Sequence, residues 1–376
     1  FALSKSLGLP TRRVKMKEMS AEAFFESLEK NEPLNEDMVR AARLRAAGDL
    51  WIGLGISDIV GLRVGRVRTP LVSELQKYLS DRDADVVGMG IGTHVLPMTT
   101  WDLCRSFSNV PPSSVMERAQ SLYVDGYLSY PRTDSVRLSE DSMKRLWSLI
   151  PAGQRARLAG MLDEADFYAN PTKEESSGSS TRKNVQDAHE ALHLLREYDG
   201  DNAMERAICR RVEEATDGFL KGAVVLEKRR HEVKGGACVR NADFGTLVGL
   251  LQDNGIGRPS TIGRTVDAPL SDGQILLSSG SHNTDVSLSV SDKGLEMLEK
   301  VDVICPELSE PEYTARMEHR LDRIAQGDKD EQNAFLLDAV HLTEKASSNA
   351  YKLESTREIE KNDRAVTHIA EASNYF

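Results

Sequence analysis

The sequence predicts a mixed α and β fold that is mainly helical and contains more than one domain. Three observations support this prediction. The chain has 376 residues, which is more than a single hydrophobic core usually organises. Apolar residues recur at helical spacing in several segments, whereas short β-like apolar runs broken by Gly and Pro are fewer.

The composition is that of a globular protein with no visible membrane anchor. Hydrophobic residues make up 40% and charged residues 28% of the chain, and no apolar run reaches the roughly 18 residues that a membrane span needs. The N-terminal residues lack the long apolar centre of a secretory signal. The four cysteines form no CxxC pair, so neither a zinc ribbon nor a disulfide framework is indicated. These features predict a protein in a reducing compartment that is intracellular or whose natural start has been removed.

The charge balance is acidic, but arginines cluster locally. A net charge of −11 argues against indiscriminate attraction to nucleic acid. Arg63, Arg66 and Arg68 nevertheless lie within six residues, and Arg258 and Arg264 stand beside glycines that let a backbone approach a ligand. A local basic groove is therefore compatible with the overall charge.

The first part of the chain predicts three helices. Ser20 is a candidate N-cap for a helix through Lys30 with an apolar face formed by Ala23, Phe24 and Leu28. Asp37 begins a second helix, which we expect to run toward Gly53, because further glycines then interrupt the periodicity. Residues 68–80 resume helical spacing, and residues 86–112 predict short strands.

The middle of the chain contains a connection between two predicted helices. The first helix follows Ser113 and Ser114 and ends at Gly126, with an apolar face formed by Val115, Ala119, Leu122 and Tyr123. Residues 127–130 are then expected to be extended, and Pro131 stops the strand. A second helix has Ser139 as its N-cap and carries Met143, Leu146, Trp147 and Ile150 on one face. Tyr130 and Arg132 thus lie where a side chain can reach a ligand.

The stretch SLYVDGYLSYPRTDS, residues 121–135, raises the question of a tyrosine nucleophile. A tyrosine hydroxyl has a solution pKa of about 10 and is a poor nucleophile near neutral pH unless a cation or base favours the phenolate. Arg132 is such a cation. The alternative is that these tyrosines are ordinary core aromatics.

A second motif offers a different enzyme class. Residues 170–186 are Ser-rich and predict a surface loop, and the HExxH pattern from His189 to His193 follows. On a helix, this spacing places two histidines on one face as zinc ligands, with Glu190 as a base. A metalloprotease is therefore an alternative, although no third ligand motif lies nearby.

Seven segments together resemble the type IA DNA topoisomerases. In order they are AARLRAAGDLWIGLGIS, VGRVRTP, AQSLYVDGYLSYPRTDS, AHEAL, LLQDNGIGRPST, SDKGLEML and YTARMEHRLDRIAQGD, and they span about residue 40 to residue 330. Their shared order outweighs the HExxH pattern. The resemblance implies an arch-shaped fold with discontinuous domains and a DNA topoisomerase activity.

The resemblance implies a role for each of three catalytic residues. Tyr130 matches the nucleophile that attacks a phosphodiester of single-stranded DNA, leaving a 5′-phosphotyrosine and a free 3′-hydroxyl, so religation needs no ATP. Arg132 is expected to stabilise charge on the nonbridging oxygens, and His189 to donate to the same phosphate. The alternative for His189 is structural packing.

The resemblance also implies DNA-binding residues. Arg66 matches an arginine that holds a phosphate of the strand, and Gly65 permits close approach. Arg258 is a second candidate, and Pro259, placed at a first helical position before Ser260 and Thr261, predicts a helix N-terminus that favours phosphate. Residues 273–294 are expected to form a two-stranded wing beside this helix.

Several positions depart from the family pattern. Arg68 replaces a glutamine, Ile262 replaces a tyrosine, and residues 193–195 replace Arg-Pro-Thr. The sequence also lacks the family's Toprim domain with its Mg²⁺-binding acidic cluster, and the acidic run at 81–85 lies in the wrong place to substitute for it. We therefore expect no metal site in these residues, and expect Mg²⁺ to belong to a Toprim domain supplied by missing sequence or a partner chain.

The resemblance divides the chain into three parts. Residues 1–78 and 241–376 form a helical base with a DNA groove, residues 79–112 and 212–240 form a β-rich hinge, and residues 113–211 form a mobile domain that carries the tyrosine. The expected partner is single-stranded or negatively supercoiled DNA, in the cytoplasm, nucleoid, nucleus or an organelle. Two alternatives are a non-cleaving paralogue that binds single-stranded DNA and the topoisomerase portion of a reverse gyrase.

Overall fold

The computed structural model describes most of the chain. The described residues are 8, 12–14, 19, 21–80, 92–94, 96–139, 142–144, 146, 189–220, 224–226, 241–279 and 286–373. Ser20, the acidic run at 81–85 and the Ser-rich loop at 170–186 lie outside them. The chain divides into two compact units, here called unit 1 (Phe1–Leu34, Leu75–Ser271 and Leu276–Ser289) and unit 2 (Asn35–Glu74, Asp272–Ile275 and Val290–Phe376). The predicted three-domain division stays a prediction.

The described residues are mainly helical, as predicted. Their helices are α1 (Ala21–Glu29), α2 (Glu36–Val60), α3 (Arg68–Ser80), α4 (Thr100–Ser106), α5 (Pro112–Val124), α6 (Ala203–Leu220), α7 (Phe244–Asp253), α8 (Ile262–Ser271), α9 (Asp292–Ile304), α10 (Pro311–Ala325) and α11 (Lys329–Ser373), with a 3₁₀ turn at Pro306–Ser309. No helix among the described residues is long and apolar enough to cross a membrane.

Two small antiparallel sheets accompany the helices. Strand β1 (Gly92–His94) pairs with β2 (Val224–Leu226), with Thr93 opposite Val225. Strand β3 (Ile275–Ser279) pairs with β4 (Val286–Val290), which confirms the predicted two-stranded wing. The first pair joins segments from the two halves of the predicted hinge.

Unit 2 is built around the long helix α2. Asn35 caps it by accepting a hydrogen bond from the Met38 backbone N–H at 3.0 Å. Helices α10 and α11 pack along α2, and the buried face of α2 comprises Ala41, Gly48, Ile52, Ile56 and Val60. A Cβ on Gly55 would lie 2.8 Å from Thr343 Cγ2, so α11 approaches α2 closely and a larger residue there would require the Thr343 side chain to shift.

Unit 1 places α4 and α5 at its centre. Helix α7 packs against α4, and helix α8 against α5. A Cβ on Gly263 would lie 2.8 Å from Ser113 Cα, so the start of α8 touches the backbone of α5. The apolar face predicted for α5, which is formed by Val115, Ala119, Leu122 and Tyr123, is buried.

Three element predictions are corrected. Helix α2 continues through Gly53 and Gly55 and ends only at Gly61, whose φ of 72° is the left-handed C-cap conformation. A helix, α4, occupies part of the stretch predicted as strands, because Thr99 and Asp102 form a capping box there. Helix α8 begins at Ile262 rather than at Pro259.

Candidate active site

The segment that carries Tyr130 is fixed at both ends. Helix α5 ends at Val124, and Gly126 turns the chain with a φ of 74°, a conformation that glycine adopts without strain. Leu128, which is fully buried, then forms an antiparallel bridge with Leu194. The expected extended conformation before Tyr130 is thus present, paired with the chain that follows His189.

The Tyr130 ring contacts two other rings. Its centroid lies 4.5 Å from that of His189 and 5.4 Å from that of Tyr123, which meets it edge-on. Burial raises the pKa of the Tyr123 hydroxyl, and the adjacent Tyr130 raises it further. The fold therefore brings Tyr130 and His189, which the sequence separates by 58 intervening residues, into direct contact.

Arg132 lies two residues beyond Tyr130 with its side chain exposed, while the flanking Pro131 and Thr133 are buried. None of the described residues forms an ion pair with it. A guanidinium held by buried neighbours and facing solvent is suited to meet an incoming phosphate.

The backbone around Arg132 is held by Thr100, a residue that the sequence motifs did not identify. The Thr100 Oγ1 lies 2.7 Å from the Pro131 carbonyl oxygen and 2.8 Å from the Thr133 carbonyl oxygen. It also accepts a hydrogen bond from the Thr133 N–H at 2.7 Å. The capping box that starts α4, with Thr99 followed by Asp102, was the only sequence signal for this position.

The segment from His189 to His193 is extended, so the helix required for a zinc protease is absent. Leu192 bridges Met98, and His193 is 2% exposed, with its Nδ1 2.9 Å from the Ala191 carbonyl oxygen. Within the described ranges, no group of three or more His, Cys, Asp or Glu residues could hold a metal ion. The metalloprotease alternative is wrong because an extended chain does not set these histidines one helical turn apart.

Glu190 has a structural role beside His189. Its carboxylate accepts hydrogen bonds from the Ser142 hydroxyl at 2.6 Å and the Ser139 backbone N–H at 3.2 Å. Burial alone would raise the pKa of this carboxyl, but the hydrogen bonds from Ser142 and Ser139 outweigh it and lower that pKa. The predicted N-cap is also present, since Ser139 Oγ accepts from the Ser142 N–H at 3.2 Å.

Tyr127 lies in different surroundings from Tyr130. Its hydroxyl donates to the Asp199 carboxylate, and the Arg196 guanidinium stacks 3.7 Å from its ring centroid. The hydrogen bond to Asp199 raises the pKa of the Tyr127 hydroxyl, as does burial. Tyr127 therefore joins the 127–130 segment to the chain after His193.

Arg66, in unit 2, is 5% exposed and bound to two carboxylates. Its Nε donates to Asp49, and its Nη1 donates to Glu318 Oε1 at 2.7 Å. Arg45 completes the network through two hydrogen bonds to Glu318, at 2.7 and 2.8 Å. Burial alone would lower the pKa of the Arg66 guanidinium, but Asp49 and Glu318 outweigh it and raise that pKa.

Gly65, next to Arg66, has open space around it. Its N–H donates to Thr69 Oγ1 at 3.1 Å, and a Cβ built on it would meet nothing within 4 Å. Close approach of a ligand backbone is thus sterically free at this position.

The candidate residues after α7 form a tight turn before α8. Gly255 and Gly257 have φ values of 64° and 80°, which explains why glycines stand there. Arg258 is 8% exposed, and its carbonyl accepts a hydrogen bond from the Thr261 N–H at 2.9 Å. Pro259 consequently occupies the second position of a β-turn, which favours proline, rather than the first position of the helix. Ser260 and Thr261 are exposed at the start of α8.

Comparisons with known proteins give concordant results. The family model described as DNA topoisomerase matches residues 93–217 and 220–335. Reverse gyrase 1 of Aquifex aeolicus is 22% identical over 410 aligned positions, covering 85% of this chain and 35% of that protein. The reverse gyrase of Pyrobaculum aerophilum is 27% identical over 175 positions, covering 34% of this chain and 14% of that protein.

A solved structure has the same fold. The full-length topoisomerase I of Thermotoga maritima superposes with a TM-score of 0.64 at 17% identity, over 92% of this chain and 74% of that one. The chain spans about a third of the length of the Aquifex relative that it matches.

Proposed function

Because the chain belongs to the type IA DNA topoisomerase family, we propose that it carries the DNA-cleaving part of such an enzyme. It would cut one DNA strand transiently, pass a strand through the break and reseal it, relaxing negative supercoils. The observation that carries this proposal is the contact between Tyr130 and His189 beside the exposed Arg132.

The proposed covalent step is a transesterification at phosphorus. The Tyr130 Oη loses its proton and bonds to a backbone phosphorus, and the bond from that phosphorus to the 3′-oxygen breaks. The departing oxygen takes up a proton and becomes a 3′-hydroxyl, while the tyrosine holds a 5′-phosphate. Because one phosphodiester replaces another, the reverse reaction reseals the strand without ATP.

Arg132 and His189 would act on the phosphate rather than on the proton of Tyr130. Negative charge on the nonbridging oxygens is stabilised by Arg132, whose exposed guanidinium is free to turn toward them. His189 lies against the Tyr130 ring, so a donor on its imidazole would meet the same phosphate.

The leaving oxygen needs an acid, and the family's Mg²⁺ needs a site. The described residues provide no site of three or more ligands for Mg²⁺. We propose that a Toprim domain, on the same or a partner polypeptide, supplies both groups. We propose that the chain acts inside the cell, where the DNA substrate is located.

We propose that DNA phosphates are contacted in unit 2 by Arg66 and Gly65, and in unit 1 by Arg258, Ser260 and Thr261. Support is strongest for Ser260 and Thr261, which are exposed before α8, and for Gly65, which leaves room for a strand. Phosphate contacts at these positions would not depend on base sequence.

The test is relaxation of negatively supercoiled plasmid by the chain with and without an added Toprim domain and Mg²⁺. We expect the chain alone to bind single-stranded DNA and to relax plasmid orders of magnitude more slowly than the complemented mixture, because the acid for the leaving group is proposed to lie in the Toprim domain. The complemented mixture should relax the plasmid. Binding without any cleavage in the complemented mixture would favour the non-cleaving paralogue.

The similarity to two reverse gyrases supports a second candidate, the topoisomerase portion of a reverse gyrase. That reaction adds positive supercoils and requires a helicase driven by ATP. Positive supercoiling after addition of a helicase partner and ATP would favour this candidate, whereas relaxation alone favours the first.

A further inference from the structure

One hydroxyl group holds both peptide units that flank Arg132. The Thr100 Oγ1 is 2.7 Å from the Pro131 carbonyl oxygen, which belongs to the peptide before Arg132. It is also 2.7 Å from the Thr133 nitrogen, which belongs to the peptide after Arg132. The Thr100 backbone N–H adds a bond to the Thr133 carbonyl at 2.8 Å.

The chemistry of a hydroxyl suits this double role. It accepts one hydrogen bond from the Thr133 N–H and donates its proton to a carbonyl, so both peptide orientations are fixed at once. Thr100 is 0% and Thr133 2% exposed, so water does not compete for these bonds. Thr100 is the first residue of α4.

We propose that Thr100 is a positioning residue for phosphate binding by Arg132. With both flanking peptides fixed, the Cα–Cβ direction of Arg132 is set, and the exposed guanidinium explores a smaller volume before it meets DNA. Less ordering is then required on binding. This inference rests on the proposed function, in which Arg132 contacts the DNA phosphate next to Tyr130.

The test is a double-mutant cycle between Thr100 and Arg132, read as affinity for a fluorescein-labelled oligothymidylate by anisotropy. Thr100→Val keeps the shape but removes the hydroxyl, and we expect affinity to fall about fivefold, as for loss of one ordered hydrogen bond. The affinity of Arg132→Ala should fall by at least the same factor. The double variant should bind no more weakly than Arg132→Ala alone, because Thr100 acts through Arg132.

Two further variants separate positioning from general stability. Thr100→Ser retains the hydroxyl and should restore at least half of the lost affinity. Thr99→Val removes the neighbouring buried hydroxyl, which caps α4 but does not touch Pro131 or Thr133. It should lower thermal stability and leave oligothymidylate affinity unchanged. Thr100→Ala is made in parallel, and the same comparisons apply to it if Thr100→Val does not fold.

The measured affinities separate failure of the Thr100 proposal from failure of the proposed function. Equal loss of affinity in Thr99→Val and Thr100→Val, or a further loss on adding Thr100→Val to Arg132→Ala, would overturn the role of Thr100 while leaving the proposed function intact. Unchanged affinity in folded Thr100→Val would do the same. No binding of oligothymidylate by the wild-type chain would overturn both.

Discussion

Two arginines with the same predicted partner, a DNA phosphate, occupy opposite environments. Arg132 is exposed on a loop of unit 1 whose backbone is fixed by Thr100. Arg66 is 5% exposed in unit 2 and bound by the carboxylates of Asp49 and Glu318. A phosphate can meet Arg132 without displacing a described residue, whereas the Arg66 guanidinium is already bound by two carboxylates.

The difference concerns what each arginine does in the absence of DNA. Removing an exposed charge leaves the fold nearly unaffected, but removing one partner of a buried network leaves the other charge uncompensated. The Asp49 side chain is 43% exposed and that of Glu318 only 2%. Asp49 is therefore the carboxylate that a phosphate would replace, and Glu318 the one that keeps Arg66 in place.

The largest expected effect is on the chemistry of the Arg132 loop. Tyr130→Phe removes the nucleophilic oxygen and keeps the ring that contacts His189 and Tyr123, so protein-linked 5′-phosphate should fall to background while the fold is retained. The measurement is denaturing electrophoresis of 5′-adducts in the Toprim-complemented system. Tyr127→Phe is the matched control and should still form the adduct. A persistent adduct with Tyr130→Phe would show that the nucleophile is another residue.

The second expected effect is that replacing Arg66 destabilises the fold more than replacing Arg132. Arg66→Ala removes one of the two arginines bound to the buried Glu318 carboxylate and leaves Arg45 as its partner. It should therefore lower the free energy of unfolding by about 3 kcal/mol or less, below the full cost of an unpaired buried charge. Arg132→Ala should change it by less than about 0.5 kcal/mol. Urea unfolding followed by circular dichroism measures both. Arg63→Ala, three residues from Arg66 and 76% exposed, is the matched control and should resemble Arg132→Ala.

A third effect concerns the salt dependence of DNA binding. If Arg66 and Arg258 hold phosphates, replacing either with Ala should weaken single-strand binding equally across sequences and lower the slope of log affinity against log salt by about 1. Affinities are measured at several salt concentrations on oligonucleotides of different sequence, where the variants are folded. If neither variant changes the slope, these two arginines do not contact phosphate and serve the fold alone.

The smallest expected effect is on the pH dependence of the free energy of unfolding, and it arises from Glu190, next to His189. The pKa of Glu190 is lowered from 4.5 in the fold, so its ionised form adds stability that is present above about pH 4.5 and is lost as pH falls through the lowered value. Ser142→Ala removes the hydrogen bond from the hydroxyl and should lower the free energy of unfolding at neutral pH by about 1 kcal/mol or less. Urea unfolding near pH 7 and near pH 3 should show this difference shrinking in acid. An equal difference at both pH values would contradict it.

The sequence predicted those parts of the fold and site that depend on local pattern. The buried face of α5, the turn at Gly126 and the strand pair β3 and β4 follow from apolar spacing and glycine placement. The contact between Tyr130 and His189 does not follow from local pattern. Only the resemblance to a family placed these two residues in one site.

Features that depend on distant residues were not predictable. Gly53 and Gly55 suggested the end of a helix, yet α11 packs closely on Gly55, where a Cβ would lie 2.8 Å from Thr343 Cγ2. Tertiary packing outweighs helix propensity there. Helix α4 is seven residues long and too short to display periodicity. The burial of Arg66 depends on Glu318, which is 252 residues away in the chain.

The way α2 is packed has a consequence for how the protein is made. Its buried face lies against α10 and α11, which the ribosome synthesises after every residue of unit 1. During that interval the Ile52, Ile56 and Val60 side chains have no partner from these helices. A nascent chain of this kind exposes an apolar stripe that attracts chaperones or neighbouring polypeptides. Unit 2 therefore completes its core only after unit 1 has been synthesised, although α2 precedes most of unit 1 in the chain.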